Sequence, residues 1–189
     1  QQVNLMLSMS HIPSRIADSG FSSTELVQLH QGWTSQRLGG YLKPLGCELD
    51  ADAFRLAMPS KALDKARADL PAGDGPLLVL APMGGTADWP AAEWSALPAT
   101  ISQRLDGLRC SQLAVELDLN ARAAAVACAD VVLSSCPITQ SLAVFSGVPL
   151  VALGGNPENM PQRPDLRCLG QADRLGDLKS EQILEALGF

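Results

Sequence analysis

Residues 129–153 read ADVVLSSCPITQSLAVFSGVPLVAL, and this stretch decides the fold. Asp130-Val131-Val132-Leu133 is a short apolar run rich in β-branched residues, the pattern of a parallel strand buried on both faces. Ser134-Ser135-Cys136-Pro137 interrupts it, and residues 138–146 then contain neither Gly nor Pro over a helical length. Gly147 suits a left-handed helix stop. Pro149-Leu150-Val151-Ala152-Leu153 restores the strand pattern and ends in Gly154-Gly155-Asn156-Pro157. Strand, helix and strand in that order make a βαβ unit with two parallel strands.

Working upstream, the same alternation continues. Asp118 is placed to cap an alanine-rich helix over 119–128, and residues 108–114 read as a further strand. Trp89-Pro90 opens another helix with Pro90 at its permitted first position, and Pro98 is expected to kink or split it. Leu77-Leu78-Val79-Leu80-Ala81 is a continuous apolar strand followed by the glycine turn Met83-Gly84-Gly85-Thr86. Downstream, Ser180 offers a cap for a last helix to Leu187. From residue 77 onward the expected fold is α/β, a doubly wound, Rossmann-like parallel sheet.

Before residue 70 the periodicity is weak. Residues 23–30 lack Pro and Gly and are expected to hold a short helix capped by Ser22 or Ser23. A second helix is expected over 33–45, interrupted at Gly39-Gly40 and closed by Lys43-Pro44-Leu45-Gly46. Ser60 is expected to cap a helix over 61–70, with Leu63, Ala66, Arg67 and Leu70 on one face. Pro71-Ala72-Gly73-Asp74-Gly75-Pro76 is the clearest linker signal, so the expected organisation is a first segment 1–70, a linker 71–76 and a domain 77–189.

Composition narrows the function. The chain has 189 residues, 47% hydrophobic and 18% charged, enough for one buried core without staples. Fourteen Lys and Arg against 20 Asp and Glu give a net charge of −6, which argues against nucleic acid as a partner. No apolar run reaches the roughly 18 residues of a membrane-spanning helix. The five cysteines are odd in number and contain no C-x-x-C pair, so they read as reduced thiols of a cytoplasmic protein. Gln1 is not an initiator residue, and the chain reads as a fragment or a processed product.

In an open parallel sheet the ligand sits beyond the carboxyl ends of the strands. Three small-residue turns fall there: 83–86, 134–137 and 154–157. Glycine lets a backbone approach closely, hydroxyls add donors, and a helix N-terminus supplies free N–H groups and partial positive charge. The candidate seat for a mononucleotide or diphosphate is therefore Met83, Gly84, Gly85, Thr86, Ser134, Ser135, Cys136 and Pro137. Equally, any α/β sheet needs small turns. There is no G-x-G-x-x-G, no P-loop and no G-x-S-x-G elbow. With only His11 and His30, both before residue 70, no Ser-His-Asp arrangement and no histidine metal site is expected. Cys136 reads as a small packing residue, Trp89 as a sheet-facing aromatic and Glu116 as a solvated carboxylate.

The order of these motifs resembles the C-terminal domain of the heptosyltransferase-like glycosyltransferases, glycosyltransferase family 9, which have the GT-B fold. The residues that carry the resemblance are the strand 77–82, the turn 83–86, Trp89-Pro90 with Glu93-Trp94, then Ala129-Asp130 and the block through Gly147-Val148-Pro149 and 150–153. Ile12-Pro13-Ser14-Arg15-Ile16 similarly resembles a turn near the end of that family's first domain. The resemblance implies a domain that holds a nucleotide-sugar donor, an ADP-sugar first of all. A cell-envelope glycan, as in lipopolysaccharide assembly, would be the acceptor. It implies no cofactor and no required metal. The general base would come from a first domain of which residues 1–70 are the end, leaving this chain inactive by itself and its own catalytic residues unknown. It also implies departures: the family lysine position falls on Ala87, and the family Asp, Thr/Ser, Gly and His positions fall on Cys136, Pro137, Ile138 and Ser141. The segment between the Trp-Pro helix and Asp130 is short by one strand–helix unit. The alternative from another class is a degenerate, non-catalytic binding or scaffold module of the same fold.

Overall fold

The computed structural model describes residues 2–29 and 32–188. It divides into two units, the first up to Phe54 together with Glu158–Pro161, the second Arg55–Pro157 together with the chain from Gln162. The division falls between Phe54 and Arg55, ahead of the expected linker. Residues 71–76 lie inside the second unit, where the Arg109 side chain donates to Gly75 O at 2.6 Å and to Pro71 O at 3.2 Å. Proline and glycine mark a tight turn here rather than a hinge.

The first unit contains the helix Gln2–Met9 (α1), with no buried residue, and a two-stranded parallel ladder of Ile16–Ala17 (β1) and Glu25–Leu26 (β2). The ladder overturns the helix expected over 23–30. Thr24 N–H donates to Arg15 O and Val27 N–H to Ala17 O, both at 2.9 Å, so β-branched residues pair with a distant segment instead of coiling locally. His30 lies outside the described residues. The expected interruption at Gly39-Gly40 is present: the helix Thr34–Leu38 (α2) passes into 3₁₀ turns over Gly39–Tyr41 and Lys43–Leu45, and Gly46 closes them at φ 72°.

The second unit opens with the helix Ser60–Asp69 (α3), at whose N-cap stands Pro59 without a side-chain bond, so Ser60 is the first helical residue and not the cap. Then follow Leu77–Ala81 (β3), Ala91–Ser102 (α4), Arg109–Gln112 (β4), Leu119–Ala127 (α5), Val131–Ser134 (β5), Pro137–Ser146 (α6), Leu150–Leu153 (β6), Leu166–Leu169 (β7) and Ser180–Leu187 (α7). All five strands from β3 to β7 are parallel, in the order β4-β3-β5-β6-β7. Counted from β3 this is 2-1-3-4-5, a doubly wound order; relative to the Rossmann order 3-2-1-4-5-6 the strand outside β4 is missing. The expected short segment between α4 and β5 is thus one strand and one helix.

Helices α4 and α7 pack together, as do α3 with α5 and α5 with α6. Trp89 and Trp94 sit edge to face at 5.3 Å among Leu78, Leu80, Leu97, Ile101 and Leu133. Trp89 Nε1 donates to Leu178 O at 3.0 Å. Pro98 neither splits α4 nor ends it. Burial of Leu97 and Ile101 on the sheet outweighs the ladder bond that the proline ring removes, a penalty of about 3 kcal/mol. No helix among the described residues is long and apolar enough to cross a membrane.

Candidate functional site

The order of strands creates a switch point. From β3 the chain passes to β4 on one side, and β5 then returns to the other side of β3, so the turns beyond β3 and β5 bound a crevice. These are the turns 83–86 and 134–137. The structure brings them into contact: Met83 N–H donates to Ser135 Oγ at 2.8 Å. Ser135 N–H and Ser134 Oγ–H both donate to Ala81 O, at 3.3 and 2.9 Å, which ties the second turn to the end of β3.

Several candidate groups are engaged internally. Gly84 N–H donates to Asp88 Oδ2 at 2.7 Å, and Trp89 N–H to Asp88 Oδ1 at 2.7 Å. Asp88 is buried, so a carboxylate stands against the glycine turn itself. Cys136 N–H donates to Ser134 Oγ at 3.0 Å, and Pro137 has no N–H to give. Within 83–86 and 134–139, Thr139 being fully buried, four amides have no acceptor among the described residues: Gly85, Thr86, Ile138 and Thr139. The last two are in the first turn of α6, whose N-cap Cys136 supplies no side-chain bond. Gly85 adopts φ 87°, and a Cβ there would meet nothing within 4 Å, so the space above it is open.

The rim is apolar. Met83, Val115, Leu119 and Ile138 expose 37, 51, 58 and 57% of their surface. All four lie at strand carboxyl ends or helix starts of the second unit, and Val115 Cγ2 would stand 3.3 Å from a Cβ on Gly84.

Two buried polar side chains hold the site from below. Gln140 Nε2 donates to Ser134 O at 2.8 Å and to Leu153 O at 3.0 Å, bracing the ends of β5 and β6. Arg122 Nη1 donates to Thr139 Oγ1 at 3.0 Å, while Nη2 donates to Ala114 O and Val115 O at 2.8 and 2.9 Å. Helix α5, which carries Arg122, starts as expected at Asp118, whose carboxylate accepts from Asn120 N–H and Ala121 N–H. Sequence reasoning missed Ile138, Thr139, Gln140 and Arg122. The one available signal was the helix head after Pro137, which leaves the next two amides without a helical acceptor.

The remaining candidates fall elsewhere. His11 is an exposed residue of the first unit. Glu116 is exposed, and Trp89 is buried in the core. The third turn, 154–157, follows β6. None of the five cysteines is in a disulfide; burial pushes the Cys110 thiol up to about 11 and raises those of Cys128 and Cys168, which makes them neutral packing groups. Among the described residues no group of three or more His, Cys, Asp or Glu side chains is placed to hold a metal ion.

No protein-family model matches the chain, and no curated relative does. Solved structures do. A glycosyl transferase family 9 protein from Veillonella parvula DSM 2008 superposes with a TM-score of 0.66 at 14% identity, over 97% of this chain and 68% of its own. The ADP-heptose LPS heptosyltransferase II of E. coli superposes with a TM-score of 0.65 at 15% identity, over 98% of this chain and 72% of its own. The chain thus has the α/β fold of GT-B heptosyltransferases over nearly its whole length, as the motif order implied.

Proposed function

We propose that the second unit is the donor-binding part of a glycosyltransferase that moves a sugar from a nucleotide-sugar, an ADP-sugar in the first instance, to a cell-envelope glycan in the cytoplasm. The observation that carries this reading is the set of three exposed amides without an acceptor among the described residues, Gly85, Thr86 and Ile138, at the switch point of the sheet. Their N–H groups and the positive end of α6 suit a diphosphate. As the glycosidic bond to the sugar breaks, negative charge grows on the departing diphosphate, and fixed N–H donors stabilise it without reorganising. The apolar rim of Met83, Val115, Leu119 and Ile138 suits the flat face of a nucleobase. The fold shared with an ADP-heptose transferase supports the choice of nucleotide.

A second reading, a non-catalytic binding or scaffold module, is favoured by one observation. The Asp88 carboxylate stands on Gly84 N–H, and Ala87 occupies the place where the resemblance puts a lysine. Isothermal titration of the chain with ADP, UDP and GDP separates the two. Saturable heat with ADP, at a stoichiometry of one per chain, supports the donor reading. Absence of heat from all of the nucleotides refutes it and leaves the scaffold.

A further inference from the structure

Arg122 is 4% exposed, yet no carboxylate of the described residues lies within ion-pair distance of its guanidinium. Its partners are neutral oxygens only: Thr139 Oγ1, Ala114 O and Val115 O. The group stays ionised in any protein environment, so a full positive charge is buried without a counter-ion. Its position compounds the cost. Arg122 lies in the first turns of α5 and touches the first turn of α6, next to the positive ends of two helices. The head of α5 is offset by the Asp118 carboxylate, but that of α6 has no side-chain cap. Asp88, the carboxylate at the glycine turn, is committed to the amides of Gly84 and Trp89. The three oxygens satisfy N–H donors of the guanidinium but bring no negative charge to offset its own. The uncompensated charge therefore calls for an anion that the chain itself does not contain.

The guanidinium is also central to the crevice. It binds the turn beyond β4 through Ala114 and Val115 and the head of α6 through Thr139, while Val115 reaches the turn beyond β3 at Gly84. We propose that Arg122 is a positioning residue that makes this seat selective for a nucleoside diphosphate over an uncharged nucleoside. It acts from beneath, through Thr139 and the head of α6 where the Ile138 amide is exposed, and supplies the cation that Ala87 lacks. In a poorly solvated setting such a field is screened far less than at the surface. The inference rests on the donor-binding reading, and its test is arranged to fail separately.

ADP, AMP and adenosine are titrated calorimetrically into the wild-type chain, Arg122→Gln and Arg122→Lys. In the wild type ADP is expected to bind at least about tenfold more tightly than adenosine. Arg122→Gln is expected to lose that preference, weakening ADP about tenfold and leaving adenosine within about twofold, while Arg122→Lys retains most of it. A purely structural Arg122 would weaken all three ligands together, and this result overturns the inference. Equal wild-type affinities for ADP and adenosine overturn it too, and need no variant to fold; so does loss of the ADP preference in Arg122→Lys. If the wild type binds none of the three, the donor reading itself has failed.

Discussion

Replacing Gln140 by leucine tests whether the site rests on buried amide bridges or on apolar packing alone. Gln140 is 3% exposed, and its two N–H bonds hold Ser134 O and Leu153 O. Each such bond contributes a net of about 1 kcal/mol, and a carbonyl left facing methyl groups adds about 1–3 kcal/mol of desolvation cost. Leucine recovers about 1 kcal/mol through added apolar burial. The net loss is about 2–4 kcal/mol. Urea unfolding followed by tryptophan fluorescence reports on it, because Trp89 and Trp94 are buried in the core of the same unit. With a slope of about 2–3 kcal/mol per molar urea, the midpoint falls by about 1 M at unchanged slope. Gln140→Glu falls further, since an ionised carboxylate offers acceptors to two carbonyls. A leucine variant whose midpoint lies within about 0.2 M of the wild type refutes the reasoning, and so does a glutamate variant more stable than the leucine one.

Three further outcomes follow from the geometry. Gly75→Ala drives a Cβ to 1.9 Å from Gly107 O, a backbone atom that cannot swing away, so thermal melting should show a loss of about 3 kcal/mol or more. Asp118→Ala removes the acceptor for two amides at the head of α5 and should cost about 1 kcal/mol in the same assay, with the Asn replacement restoring most of it. The Cys110 thiol ionises near 9.0 in the unfolded chain and near 11 in the folded one, so the folded state keeps its proton longer. Stability present below pH 9 is therefore lost as pH rises towards 11, and urea midpoints across that window should fall less steeply in Cys110→Ala.

The second unit could be read from the sequence because its signals are local. Apolar runs bounded by Gly and Pro became β3, β5 and β6, Asp118 capped α5, and Gly147 stopped α6 at φ 71°. What escaped depends on distant partners. Strand β2 exists only through its pairing with β1, and residues 23–30 carry no alternation that announces it. Strand β7 is at the edge of the sheet with Arg167 exposed in its middle, so it lacks the continuous apolar run of its neighbours. Pro98 was read as a breaker because the burial that tolerates it is tertiary. At the site the two turns were visible, but their free amides were not. Which N–H groups stay open is decided by Asp88 and Ser135, whose side chains reach back onto the turns. Nothing in the sequence sets Arg122 apart on its alanine-rich helix; only the fold buries it.

The central claim is that a diphosphate binds at the exposed amides of Gly85, Thr86 and Ile138. Amide spectra of the isotope-labelled chain, recorded while ADP is added, test it most directly. The account predicts saturable shifts at Gly85, Thr86 and Ile138, all with one common affinity. ADP that binds while those three amides stay still, or that leaves every amide unmoved, contradicts it.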